Sequence, residues 1–406
     1  MGSEQITLVQ PDSTGPKYRR FELLGAEFVR SGRTGSGKAR ETRKEFPDPK
    51  AATVALRREV WKALRAGFVR LGTEGESVAL QFLTPRKATS RAMDLHPDGS
   101  SVVIGCDGAI LLVDVATGSR RTVFEVPEQE RGGIFHATLF DASGECVVYT
   151  IEGRTRRLDL ATGRDEAVAG FTQFDDSRFN PYCVRPSWDR ARERLVVFDA
   201  GDLVRVLDAA GEPVCEVSTA SPTTECRTAA LSASGRLLAV SRVSRGVVYG
   251  HRDALADTTN EVEVWDVASG RLVTRVPLAW DIGRVGFDPT ETLLVMNRGG
   301  VHGPYAISIE TGDVVWQFTN PFHPNILHTC YGWSYTPDGG RIAVGGNRTG
   351  ALRLYDADLR EPSGVDLDGY DDQRVSRLVF SRTGDLLATG GDFGLVYVRR
   401  IPPPAG

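Results

Sequence analysis

The chain contains no Cys-x-x-C pair; its six cysteines, Cys106, Cys146, Cys183, Cys215, Cys226 and Cys330, stand apart. That removes the common zinc and dithiol spacings, and the thiols read as small apolar core groups kept in a reducing compartment. No apolar segment of the kind a secretory signal needs opens the chain, and no run of about 18 apolar residues occurs. The expectation is a cytoplasmic protein without a membrane span. No Gly-x-Ser-x-Gly is present, which excludes the nucleophile elbow of α/β-hydrolases. Lysine disappears after Lys87, and arginine carries the positive charge from there on. Such a bias is typical of a GC-rich bacterial genome.

What is present is ordinary globular composition over 406 residues, 41% hydrophobic and 25% charged. The charge is unevenly placed. Lys17 to Arg70 hold 15 Lys/Arg against 6 Asp/Glu, a balance of +9, which leaves −13 for the rest. A basic N-terminal module on an acidic body points to an anionic partner for the first part.

A repeat decides the fold. Seven polar turns, each between apolar runs, recur as "LHPDGS" at Leu95, "FDASGE" at Phe140, "WDRARE" at Trp188, "LSASGR" at Leu231, "FDPTET" at Phe287, "YTPDGG" at Tyr335 and "FSRTGD" at Phe380. Their successive spacings are 45, 48, 43, 56, 48 and 45 residues. A third strand follows each pair, then a turn such as "DVATGS", "DLATGR" or "DVASGR", where Asp, Ser and Gly close a tight reversal. Four short strands at a period near 40–45 residues predict β-propeller blades.

The units resemble WD40 repeats: Trp265-Asp266 is the WD dipeptide and Tyr355-Asp356 a variant of it. The resemblance covers about Ser77 to Ile401; the Gly-His pair that often opens such repeats is absent. The expected fold class is mainly β: a seven-bladed WD40-like propeller over 77–402, with a small α+β domain before it. The last unit supplies three strands before "IPPPAG", so "SVALQFL", Ser77 to Leu83, is expected to complete it and remove an open edge.

Residues 1–16 read as a flexible N-terminus and 17–72 as a separate domain. "KYRRFELL", "EFVRSGR" and "KARETRKEF" read as strands, followed by a helix capped by Asp48 with Pro49 in its first turn. Ala52, Leu56, Val60 and Leu64 mark its apolar face, Gly67 its end, and "FVRL" a last strand. "GRTGSGKA", from Gly32, approaches a phosphate-binding loop, but Ala39 offers no hydroxyl to a metal and no helix opens after Lys38. A hairpin turn explains it better.

The order of parts over about 17–71 resembles the WGR domain. Gly32 and Arg33 fit two motif positions, Phe46, Gly67 and Phe68 fit later ones, and Ser31 stands where that family has Trp. The resemblance implies possible contact with nucleic-acid ends, through Arg33, Lys38, Arg40, Arg43 and Lys44. The other reading of this basic hairpin is docking on the acidic propeller.

His323, His328 and Cys330 lie close in sequence but lack the spacing and fourth ligand of a zinc site; Asp366, Asp368, Asp371 and Asp372 lack the closing Glu of a calcium loop. No metal or other cofactor is expected. The six histidines do not recur from unit to unit, as converging channel ligands of an enzymatic propeller would, so no enzymatic activity is expected. The expected role is a protein-interaction scaffold. Its contact residues are expected on the loops of the top face: Arg178, Trp280, Arg298, Phe322, His323, Arg348 and Tyr370. Tyr249 and Arg252 join them from the insertion Arg242 to Asn260, read as a partner-contacting arm.

Overall fold

Asp48 starts the helix as its chemistry demands: Oδ1 accepts the Ala51 N–H at 2.8 Å, and Pro49 opens the first turn without leaving a donor unmet. The computed structural model describes residues 4–11, 17–33, 38–73, 75–84, 92–106, 108–127, 135–170, 186–199, 203–244, 260–278, 282–298, 304–317, 332–345, 352–357, 362–366, 375–391 and 394–403. The N-terminal elements are β1 (Glu4–Val9), β2 (Tyr18–Leu24), β3 (Glu27–Arg33), β4 (Arg40–Glu45), α1 (Pro49–Arg65) and β5 (Val69–Leu71). Ala52, Leu56, Val60, Ala63 and Leu64 of α1 are buried against Ile6, Leu8, Phe21 and Phe28. Gly67, at φ +86°, turns the chain out of the helix.

Residues 1–16 are not all tail. Glu4–Val9 is a strand, paired with β2 on one side and β5 on the other. The cause is the alternation in "ITLV", which puts Ile6 and Leu8 under the helix.

The strands that follow are β6 (Val78–Leu83), then β7 (Met93–Leu95), β8 (Ser101–Cys106), β9 (Ala109–Asp114) and β10 (Arg120–Glu125) as the first blade. The second holds β11 (Phe135–Phe140), β12 (Cys146–Ile151), β13 (Arg154–Asp159) and β14 (Asp165–Gly170). The third holds β15 (Ser187–Trp188), β16 (Leu195–Asp199), β17 (Leu203–Leu207) and β18 (Pro213–Ser218). The fourth holds β19 (Thr224–Leu231), β20 (Leu237–Ser244), β21 (Asn260–Asp266) and β22 (Arg271–Leu278). The fifth holds β23 (Ile282–Phe287), β24 (Leu293–Arg298), β25 (Pro304–Ser308) and β26 (Val314–Gln317). The sixth holds β27 (Gly332–Tyr335), β28 (Arg341–Gly345), β29 (Leu352–Asp356) and β30 (Pro362–Asp366). Last come β31 (Val375–Phe380), β32 (Leu386–Gly391) and β33 (Leu395–Arg400).

The propeller thus has six four-stranded blades, not the seven separate ones the turns predict. The last repeat does not close as a sheet of its own. It forms one end of a nine-stranded sheet, ordered β31-β32-β33-β6-β5-β1-β2-β3-β4. β33 pairs antiparallel with β6, Leu395 opposite Leu83 and Val398 opposite Leu80. β6 then pairs with β5 through Arg70 opposite Gln81 and Leu71 opposite Leu80. The N-terminal module and the ring therefore share one hydrogen-bonded sheet. Apolar cores fill the spaces between neighbouring blades, as where Val262, Val264 and Val276 meet Val285, Leu294 and Met296.

Turn chemistry repeats with the blades. In the first, second and fourth blades the third strand ends in an Asp whose carboxylate caps the turn: Asp114 accepts from Thr117, Asp159 from Thr162, Asp266 from Ser269; in the fifth, Ser308 Oγ accepts from Thr311 in the same way. The turns between first and second strands each place one residue at positive φ. Five are glycines, Gly99, Gly144, Gly235, Gly339 and Gly384; Arg192 (φ +59°) and Glu291 (φ +61°) are the exceptions. Both reach another blade. Glu291 accepts from Ser234 N at 2.6 Å and Ser234 Oγ at 2.9 Å.

Desolvation pushes the Glu291 carboxyl up, but the bonds from Ser234 outweigh it and hold the group below the ordinary glutamate range. A lowered folded value stabilises the protein above the unfolded value, and that stabilisation is lost as pH falls through the folded one. Urea midpoints measured from pH 7 to pH 3 should therefore fall less in Glu291→Gln than in the wild type. Equal slopes would show that the bond does not titrate with folding.

Candidate binding surfaces and the central cavity

The two faces of the propeller differ. Turns between first and second, and between third and fourth, strands share one face and span four to six residues. The opposite face carries the connections between second and third strands and those from blade to blade. Three of these are long: 16 residues between β14 and β15, 15 between β20 and β21, and 14 between β26 and β27. Arg178, Tyr249, Arg252, Trp280, Phe322, His323, Arg348 and Tyr370, expected on this face, lie outside the described residues. Arg298 is the last residue of β24, at the same face; its side chain is outside the description. His328, Cys330, Asp368, Asp371 and Asp372 also lie outside it; Asp366 closes β30. Of the insertion, Arg242–Ser244 extend β20 and Asn260 opens β21.

The short-turn face surrounds the mouth of a central cavity of about 660 Å³. Across it Arg192 makes a fork to Asp94, Nη1 to Oδ2 at 2.7 Å and Nη2 to Oδ1 at 3.3 Å. Its nitrogens also donate to the Phe140 carbonyl at 2.7 Å and the Leu95 carbonyl at 3.4 Å. Asp94 Oδ2 accepts the Phe140 N–H at 2.9 Å as well. One side chain of the third blade thereby ties the inner strands of the first two.

Arg377, on β31, donates Nε–H to the Met93 carbonyl at 3.1 Å. Burial pushes its pKa down, Asp94 opposes that, and Arg192 adds to it. Arg284 lies over the Trp333 ring, 4.7 Å from its centroid, and donates to the Trp333 carbonyl at 3.1 Å. Sequence reasoning missed this cluster. The available signal was "WDRARE", the turn that holds Arg192 where five others hold glycine.

On the N-terminal module, Gly32 pairs with Arg40, so the segment that approached a phosphate loop joins two antiparallel strands. The hairpin does not dock on the propeller. β4 is the outer edge of the shared sheet with all six side chains exposed, and α1 and β5 make the contact instead. Lys38, Arg40, Arg43 and Lys44 are exposed, and Arg33 is half-buried at the end of β3. Arg43 is engaged by Glu41 at 2.9 Å and Glu27 at 3.4 Å. Lys44 lies over Phe46. Between α1 and this hairpin runs a groove whose wall includes Phe28, Phe46 and Val54.

Among the described residues, Cys106, Cys146, Cys215 and Cys226 are in no disulfide, and no group of three or more His, Cys, Asp or Glu is placed to hold a metal. No described helix is long and apolar enough to cross a membrane.

No family model matches the chain, and no curated protein matches it. Solved structures do. A chain of the crystal structure of the mitotic checkpoint complex is similar to it with a TM-score of 0.58 at 15% identity, over 81% of this chain and 93% of that one. At that identity the likeness is one of fold alone, in keeping with the β-propeller described above. Nothing in these comparisons supports the WGR-like reading of the N-terminal module.

Proposed function

We propose that the protein is a non-enzymatic interaction scaffold whose propeller holds a protein partner through its loop face. The observation that carries this reading is the asymmetry of connections. Every described turn on one face is short, while the three longest connections of the propeller all leave the other. Long loops on a rigid frame are where recognition is placed. The similar fold found within a protein assembly agrees with a protein partner.

The rim adds support. Val214, Val273 and Val315 are 43%, 54% and 54% exposed, each three residues after a positive-φ turn glycine, so they stand at one height on three successive blades. The matching positions of the first two blades are Arg121 and Glu166, both exposed. Isolated exposed valines are common, but the same position kept apolar on three successive outer strands is a repeated feature of this rim.

On this reading Arg178, Trp280, Arg298, Phe322, His323, Arg348 and Tyr370 are contact residues, with Tyr249 and Arg252 on the arm. The test replaces residues 245–259 by a short Gly-Ser bridge and compares affinity capture from the source cells. The variant should melt as the wild type does, yet recover several-fold less of the specific partner. Equal recovery would remove the arm from the interface.

A further inference from the structure

The central cavity holds more guanidinium than its carboxylates can answer. Asp189 turns away to accept the Glu193 N–H at 2.8 Å, and Asp288 accepts the Thr292 and Leu293 N–H groups at 3.0 and 2.7 Å. Asp94 alone faces the two arginines Arg192 and Arg377, and Arg192 and the Phe140 N–H already take both its oxygens. Arg377 is left half-buried in the cavity wall, with Nε bonded and no acceptor for its two terminal nitrogens among the described residues. At the mouth stand Arg190 and Arg382, both exposed.

We propose that this cavity binds a small organic oxyanion, a carboxylate or phosphate compound, with the Arg377 guanidinium as its inner anchor and Arg382 at the entrance. An arginine offers only donors, in a planar fork that matches either group. An anion would supply the counter-charge that Asp94, shared between two cations, does not. The size fits: about 660 Å³ lies within the range of roughly 300–1,000 Å³ typical of small-molecule sites. This site opens on the short-turn face, opposite the surface proposed for the protein partner, so either can exist without the other.

Titration calorimetry of the full chain with citrate, and separately with pyrophosphate, at one fixed low ionic strength tests this. At least one should bind the wild type; citrate alone identifies a carboxylate site, pyrophosphate alone a phosphate site. Arg377→Met should weaken binding about tenfold or more, and Arg382→Ala about threefold, as expected for losing a charge-assisted bond inside and at the rim. Melting curves separate binding from a structural role. Unliganded Arg377→Met should melt close to the wild type, because losing the Nε bond to Met93 is offset by removing a half-buried cation that has only a share of Asp94. It should also lose the rise in melting temperature that the anion gives the wild type. Should Arg377→Met not fold, the exposed Arg382→Ala decides alone. Absence of binding by both anions, or affinities unchanged in the variants, overturns the site.

Discussion

Leu80→Asp should lower stability by about 5 kcal/mol or more, enough to unfold most of the chain at room temperature. Leu80 is fully buried in β6, opposite Val398 of β33 and Leu71 of β5. It packs among Val69, Phe82, Val396 and Val398, where the ring and the N-terminal module meet. A carboxylate there loses the leucine contacts and finds no partner for its charge. Phe82→Ala, a cavity in the same strand, should cost about 3–5 kcal/mol. Val54→Asp is the control: Val54 is 60% exposed on α1, and its replacement should stay within about 0.5 kcal/mol. Urea midpoints of the three variants rank these effects. A Leu80→Asp protein that unfolds with the wild type would mean that β6 does not hold the last repeat to the rest.

The parts of this fold legible in the sequence are those with a local cause. "LHPDGS" and its counterparts announce their turns because the Asp carboxylate and the positive-φ residue act within five residues. The helix was readable for the same reason, from Asp48, Pro49 and the period of Ala52, Leu56 and Val60. What escaped is non-local. β5 joins β6 through only two residue pairs, and nothing in "VRL" announces that it will carry the last repeat's sheet into the N-terminal module. Seven turn motifs therefore suggested seven separate sheets, where six stand alone and the rest is shared. β1 was hidden because its partners, β2 and β5, lie across "PDSTGP" and the helix. The Arg192–Asp94 fork spans 98 residues, and sequence distance carries no trace of such a contact beyond a missing glycine.

Asp94→Ala should cost about 3–5 kcal/mol, because it leaves the Arg192 and Arg377 guanidiniums without their shared carboxylate. The Phe140 N–H loses its acceptor in the same step. Arg192→Gly should cost less, about 1–3 kcal/mol. It removes four hydrogen bonds, yet it relieves a non-glycine at φ +59° and leaves Asp94 with Arg377 as counter-charge. With both replaced, the loss should fall short of the sum by about 1–3 kcal/mol, the coupling expected of a forked buried pair. Urea unfolding of the four proteins in this cycle measures that difference. Strict additivity would mean that the fork does no more than fill space. The predicted coupling would explain why this one turn tolerates an arginine where glycine costs nothing: the strained residue closes a bond from the third blade, across the second, to the first.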